Sequence, residues 1–113
     1  MPVLVTGQIT LPDDTPAFND AQIIIRLDSV GIMDAPANTI AETTLTGVSY
    51  DDAPLDFSLK GEVGEATGPF NLWVHVDLKA SGDINKGDYV TKRTHAVTYD
   101  NAPAHVTVAV EKV

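Results

Sequence analysis

The stretch Phe70 to Leu78, FNLWVHVDL, places Phe70, Leu72, Val74, Val76 and Leu78 at every second position. A period of two marks a β-strand with one buried face, because successive side chains leave a strand on opposite sides. Large apolar side chains in register define the core face, and Asn71, Trp73, His75 and Asp77 fall on the other. The same alternation recurs. Val3 to Leu11 carries Val3, Val5, Ile9 and Leu11 on one face, and a second strand, about Ala21 to Val30, points Ile23, Ile25 and Leu27 inward and Arg26 and Asp28 outward. A threonine-rich strand near Thr39 to Leu45 and a short one with Leu55, Phe57 and Leu59 on one side follow. Tyr89 to Tyr99 is less regular and has the character of a bulged strand. In the last strand Val106, Val108 and Val110 point in, and His105, Thr107 and Glu111 point out.

Turn chemistry separates these runs. LPDDTP, TGVSYDDAP and DNAP concentrate proline, aspartate and asparagine, while GIMDAPAN and GEVGEATGP read as irregular connections. Strands without any helical period predict an all-β protein: one domain over residues 1–113, folded as an antiparallel seven-stranded β-sandwich. The expected topology is a Greek key of immunoglobulin-like or transthyretin-like type. A closed barrel is the competing architecture, and the scarcity of glycine kinks inside the strands weighs against it.

Composition narrows the function. A chain of 113 residues with 43% hydrophobic and 20% charged residues is long enough for one core and too apolar for a disordered segment. Sixteen acidic against seven basic residues give a formal charge of −9, so the average field repels a phosphate backbone and nucleic acid is excluded as a partner. The absence of cysteine removes disulfides, thiolate metal sites and cysteine nucleophiles. No run approaches the roughly 18–20 apolar residues of a spanning helix, and no transmembrane segment is expected. A start trimmed of a signal or lipid-attachment segment would look the same as MPVLVTGQIT.

One segment resembles ion-binding chemistry. Laid on a twelve-residue calcium loop, DLKASGDINKGD puts Asp77 at position 1, Gly82 at 6, Ile84 at 8 and Asp88 at 12, where the template wants a carboxylate, a sharp turn, an apolar residue and a carboxylate. The candidate calcium ligands are Asp77, Ser81, Asp83 through its backbone carbonyl, Asn85 and Asp88. Lys79 sits where the template asks for an oxygen, and its ammonium repels a cation. The competing reading is a β-to-β connection held by Asx-type turns, with Lys79 swung into the place of the ion. No cofactor is required, and calcium is the one ion this segment suggests.

Other chemistry is sparse. There is no G-x-S-x-G elbow and no H-E-x-x-H, and Asp13 with Asp14 and Asp51 with Asp52 lie beside prolines in turns, where solvated charge is the normal state. The chain is therefore not expected to be an enzyme. The histidines read as solvated surface residues. With a hairpin centred between Asn101 and Ala102, His95 lies opposite Val108, on the order of 10 Å from His105 and too far to share an ion. A turn centred on Asp100 would bring the two opposite each other. His75 and Asp77 share a face, but two ligands alone rarely make a site.

Trp73 faces outward with His75. An outward tryptophan on a sheet is either covered by a connection, GEVGEATGP or GIMDAPAN, or offered to a protein partner. The first and last strands carry no proline in their middles, so their edges are also free to recruit a strand. Trp73 and His75 are the candidate partner-binding residues.

The pattern VTGQITLPDDTPAFNDAQIIIRLDSVGIMDAPANTIAETTL, followed by LDFSL and a valine-rich closing strand, resembles the small bacterial lipoprotein domains of the YbaY and YscW type. The matching features are core and turn residues, and Gly31 stands where a small polar residue would be expected. The resemblance implies a β-sandwich of the periplasm or outer membrane, anchored there if a lipidated N-terminus has been trimmed. It implies a non-catalytic envelope accessory or chaperone-like protein-binding domain, with a secretin as the client in secretion-associated members. A structural, calcium-stabilised sandwich using residues 77–88 is the alternative.

Overall fold

The computed structural model describes residues 3–29, 38–51, 53–62, 70–92, 95–97 and 104–113. The chain forms β1 (Val3–Thr10), β2 (Phe18–Ser29), β3 (Asn38–Tyr50), β4 (Leu55–Lys60), β5 (Phe70–Asp77), β6 (Tyr89–Val90), β7 (Ala96–Val97), β8 (Ala104–Ala109) and β9 (Glu111–Lys112). No helix among the described residues is long and apolar enough to cross a membrane. The strands build a small sheet in the order β4-β1-β8 and a large one in the order β3-β2-β5-β6-β9, with β7 also paired to β5.

The core lies where the alternation puts it. In the large sheet Ile23, Ile25 and Leu27 of β2 stand opposite Val76, Val74 and Leu72 of β5, and none of these is exposed. Leu4, Val5, Ile9, Phe57, Leu59 and Val108 of the small sheet close the same cluster from the other side, which makes the fold a sandwich. Each fully buried aliphatic side chain contributes about 1.5–3 kcal/mol relative to an exposed one.

The structure differs from the expected seven antiparallel strands in four places. The sixth strand is divided: β6 and β7 both lie along β5, and between them the ladder is carried by Thr91 N–H to Val74 O at 3.0 Å and Leu72 N–H to His95 O at 3.0 Å. The last strand changes sheets. β8 runs parallel to β1 in the small sheet, and after Val110, whose N–H donates to Thr10 O at 3.1 Å, β9 pairs with β6 in the large one. The pairing of β7 with β5 and of β8 with β1 also removes the expected hairpin between the His95 and His105 strands; its turn, DNAP, lies outside the described residues.

Third, Thr46–Tyr50 do not turn but continue β3. An irregularity between Phe18 and Ala21, where Asp20 adopts a φ of 58°, lets Phe18 reach Tyr50, and the two rings stack at 5.4 Å. Aspartate tolerates this left-handed conformation better than most residues. Fourth, a register shift between Val3 and Val5 brings Leu4 into the core beside Val5, both fully buried, and Leu11 is only partly buried. The parallel contact depends on Gly7, opposite Val106, because a Cβ at Gly7 would run into the Val106 carbonyl.

Candidate functional site

The outer face of β5 is polar in sequence, yet it is not all solvated. Along it Asn71, Trp73, His75 and Asp77 alternate with the core residues, and β2 sets Arg26 beside Trp73, Ile24 beside His75 and Gln22 beside Asp77. On the opposite flank, Val90 of β6 pairs with His75. His75 is 1% exposed, Asp77 0% and Asp88 2%. The histidine is therefore buried and not the solvated surface residue expected. The sequence pattern misses this because it reads only the strand, whereas the cover comes from the connection after it.

Asp88 closes that connection. Its Oδ1 accepts the Leu78 N–H at 3.1 Å and its Oδ2 the Asn85 N–H at 2.9 Å, while His75 Nε2 lies 3.0 Å from Oδ2. One carboxylate thus ties both ends of the loop to the sheet. At the other end, Asp77 Oδ2 accepts the Gly82 N–H at 2.8 Å, with Gly82 at a φ of 85°, where only glycine is unstrained. The C-terminus adds a clasp, since the Val113 N–H donates to Asp88 O at 2.8 Å.

The expected calcium ligands are divided between two places. Asp77 and Asp88 converge with His75, and the ligand atoms of all three lie within 4.8 Å of one another. Ser81, Asp83 and Asn85 instead knit the outer part of the loop: the Asn85 side-chain amide donates to Ser81 Oγ at 2.8 Å and to the Asp83 carbonyl at 3.1 Å. Lys79 is exposed and forms no ion pair with a described residue. The expectation that it stands in for an ion is not met, and His75 joins the carboxylates instead. The available signal was its spacing, two residues before Asp77 and on the same face.

Electrostatics follow from these contacts. Burial alone would raise the pKa of Asp88; the Asn85 N–H, the His75 hydrogen bond, the Leu78 N–H and the attraction of the His75 ring outweigh it and hold the carboxyl below its ordinary 3.8. Asp77 is less well served, because its Oδ1 is buried with no hydrogen-bond partner among the described residues.

Trp73 lies next in the row and is half-buried. Its indole is tilted 53° against the His75 ring at 5.9 Å, and the Arg26 guanidinium sits 4.4 Å above it. Arg26 Nε in turn donates to Asp28 Oδ2 at 3.3 Å, and Thr39 Oγ1 donates to Asp28 Oδ1 at 3.0 Å. Asp28, expected to face solvent, is 8% exposed because these two neighbours enclose it. The connections considered as covers for Trp73 fall, apart from their end residues, outside the described residues. His95 is half-buried, with its N–H on Asn71 Oδ1 at 3.0 Å, and His105 is exposed and paired with Thr6 Oγ1 at 2.6 Å.

A row of side chains thus runs across the sheet, from Asp28 and Arg26 through Trp73 to His75 and Asp88. Over residues 2–110 the chain matches the family described as type III secretion system lipoprotein chaperone (YscW). Among solved structures, an alternative pilotin from the type II secretion system of Vibrio cholerae superposes with a TM-score of 0.71 at 22% identity, covering 96% of this chain and 95% of that one. At that identity the likeness is one of fold. No curated protein matches the chain.

Proposed function

Because the chain belongs to the type III secretion lipoprotein chaperone (YscW) family, we propose that it is a non-catalytic, chaperone-like domain of the bacterial envelope that binds a protein component of a secretion apparatus. The observation that carries this reading is the Arg26–Trp73 pair on the outer face of the large sheet, with the guanidinium 4.4 Å above a half-buried indole. Tryptophan and arginine dominate the energetics of protein interfaces, because each offers a large, stiff contact area together with a polar handle. Here the pair is already ordered: Asp28, itself fixed by the Thr39 hydroxyl, holds Arg26 from one side and His75 backs Trp73 from the other. Preorganisation of this kind lowers the entropy cost of docking. The formal charge of −9 favours a client segment rich in lysine or arginine.

The likeness of fold to a pilotin makes an outer-membrane secretin the first client to try. Trp73 is the one tryptophan of the chain, so its fluorescence reports the site without labelling. Titration with the detergent-solubilised secretin subunit of the same bacterium is expected to shift the Trp73 emission and to saturate. Absence of saturable binding, or binding that leaves the emission unmoved, would count against the site.

A further inference from the structure

We infer that His75, Asp77 and Asp88 form a buried site for one divalent first-row transition ion of the zinc type, assembled where the two ends of the 77–88 loop close on the large sheet. The inference does not rest on the client-binding reading. One imidazole and two carboxylates, none more than 2% exposed, hold their ligand atoms within 4.8 Å of one another. The independent observation is Asp77 Oδ1, a buried oxygen with no hydrogen-bond partner among the described residues, although the other oxygen of the same carboxylate takes the Gly82 N–H. A buried carboxylate oxygen demands a partner, and the ion supplies it.

Charge and size agree. With a neutral imidazole, two carboxylates balance a divalent cation. Ligand atoms held about 2.0–2.2 Å from a tetrahedral metal lie roughly 3.3–3.6 Å from each other. The His75 Nε2 to Asp88 Oδ2 separation of 3.0 Å lies a few tenths of an ångström below that range and the 4.8 Å limit on the others lies above it, so an ion requires the widest pair to close by at most about 1.5 Å. The backbone N–H groups of Leu78, Asn85 and Gly82 already orient the carboxylates, which is the role of supporting partners in a metal site. The imidazole selects the ion, because it suits zinc and its neighbours, whereas calcium prefers an all-oxygen shell.

The test uses the full chain stripped with chelator and titrated calorimetrically with zinc chloride and, separately, calcium chloride. One zinc per chain and a raised melting temperature are expected, with the zinc response weakened in both Asp77→Asn and His75→Gln by at least the about 100-fold typical of losing a supporting partner. Cobalt(II) added to the wild-type chain gives a reading that needs no variant: the intense visible bands of a low-symmetry four-coordinate site are expected. Weak octahedral bands, no saturable zinc binding, or zinc binding that survives both substitutions and so belongs to the surface histidines would overturn the site. A melting temperature that responds to calcium and not to zinc would overturn it in favour of the oxygen ligands of the loop. Unchanged stability of Asp77→Asn together with no zinc binding would leave the Asp77 carboxylate without a role at an ion and end the proposal.

Discussion

The two faces of β5 are buried by different physics. On the inner face Phe70, Leu72, Val74 and Val76 leave water because their transfer is favourable wherever the second sheet supplies a surface. On the outer face His75 and Asp77 are buried just as completely, and there burial is a cost that hydrogen bonds and charge must offset. The inner face tolerates any well-packed apolar set of similar volume, while the outer face depends on particular atoms: Asp88, the Gly82 and Asn85 N–H groups, and the Trp73 ring. One strand therefore carries both the least and the most specific chemistry of the molecule.

Substitutions on the two faces sharpen the contrast, and the largest effect is expected at Asp88. Asp88→Ala removes the partner of His75 and of two backbone N–H groups, so a loss of about 3–5 kcal/mol is expected in urea melts run in chelator. A loss below about 1 kcal/mol would mean that water replaces the carboxylate and that the outer face is wetter than described. On the inner face, Leu72→Ala is expected to cost about 2–5 kcal/mol in the same melts, as a cavity in a packed core does. Leu72→Met is the useful control, since a volume-conserving change should cost under about 1.5 kcal/mol. No comparably mild replacement of Asp88 should exist, and a mild Asp88→Asn would erase the difference between the faces.

Arg26→Ala is expected to be smaller, about 0.5–1 kcal/mol for a cation over an aromatic ring at a partly exposed site, with a red shift of the Trp73 emission as the ring meets water. Acid gives the smallest effect near neutrality. The folded pKa of Asp88 lies below its ordinary 3.8, so its contribution is fully present above that value and is lost as pH falls through the lower, folded one. In chelator, the Asp88 contribution to an acid melt should stay flat from neutrality to about pH 4. A decline setting in well above that pH would put the pKa on the wrong side of its ordinary value.

Most of the fold was legible because the inner face speaks in hydrophobic period. Ile23, Ile25 and Leu27, Leu72, Val74 and Val76, and Val108 are buried as the alternation requires. The pattern did not show the places where backbone geometry overrides it: the register shift that buries Leu4, the irregularities that extend β3 to Tyr50, and the change of sheet at Val110. In each, one residue out of step redirects the chain, and a period of two carries no record of the step. The site was half legible. DLKASGDINKGD announced Asp77 and Asp88 as the poles of a loop, but His75 looked like a solvated residue because nothing in a strand says what a later loop will cover.

The proposed docking surface, Arg26 and Trp73, is mounted on a structural base, His75, Asp77 and Asp88. Calorimetric titration of the secretin subunit into the wild-type chain, Trp73→Ala and Asp77→Asn separates the two roles. Trp73→Ala is expected to weaken binding by about 30-fold or more, the mark of an interface hot spot, while Asp77→Asn binds as the wild type does. Equal binding by Trp73→Ala and the wild type would contradict this expectation and move the client to another surface, the sheet edges first.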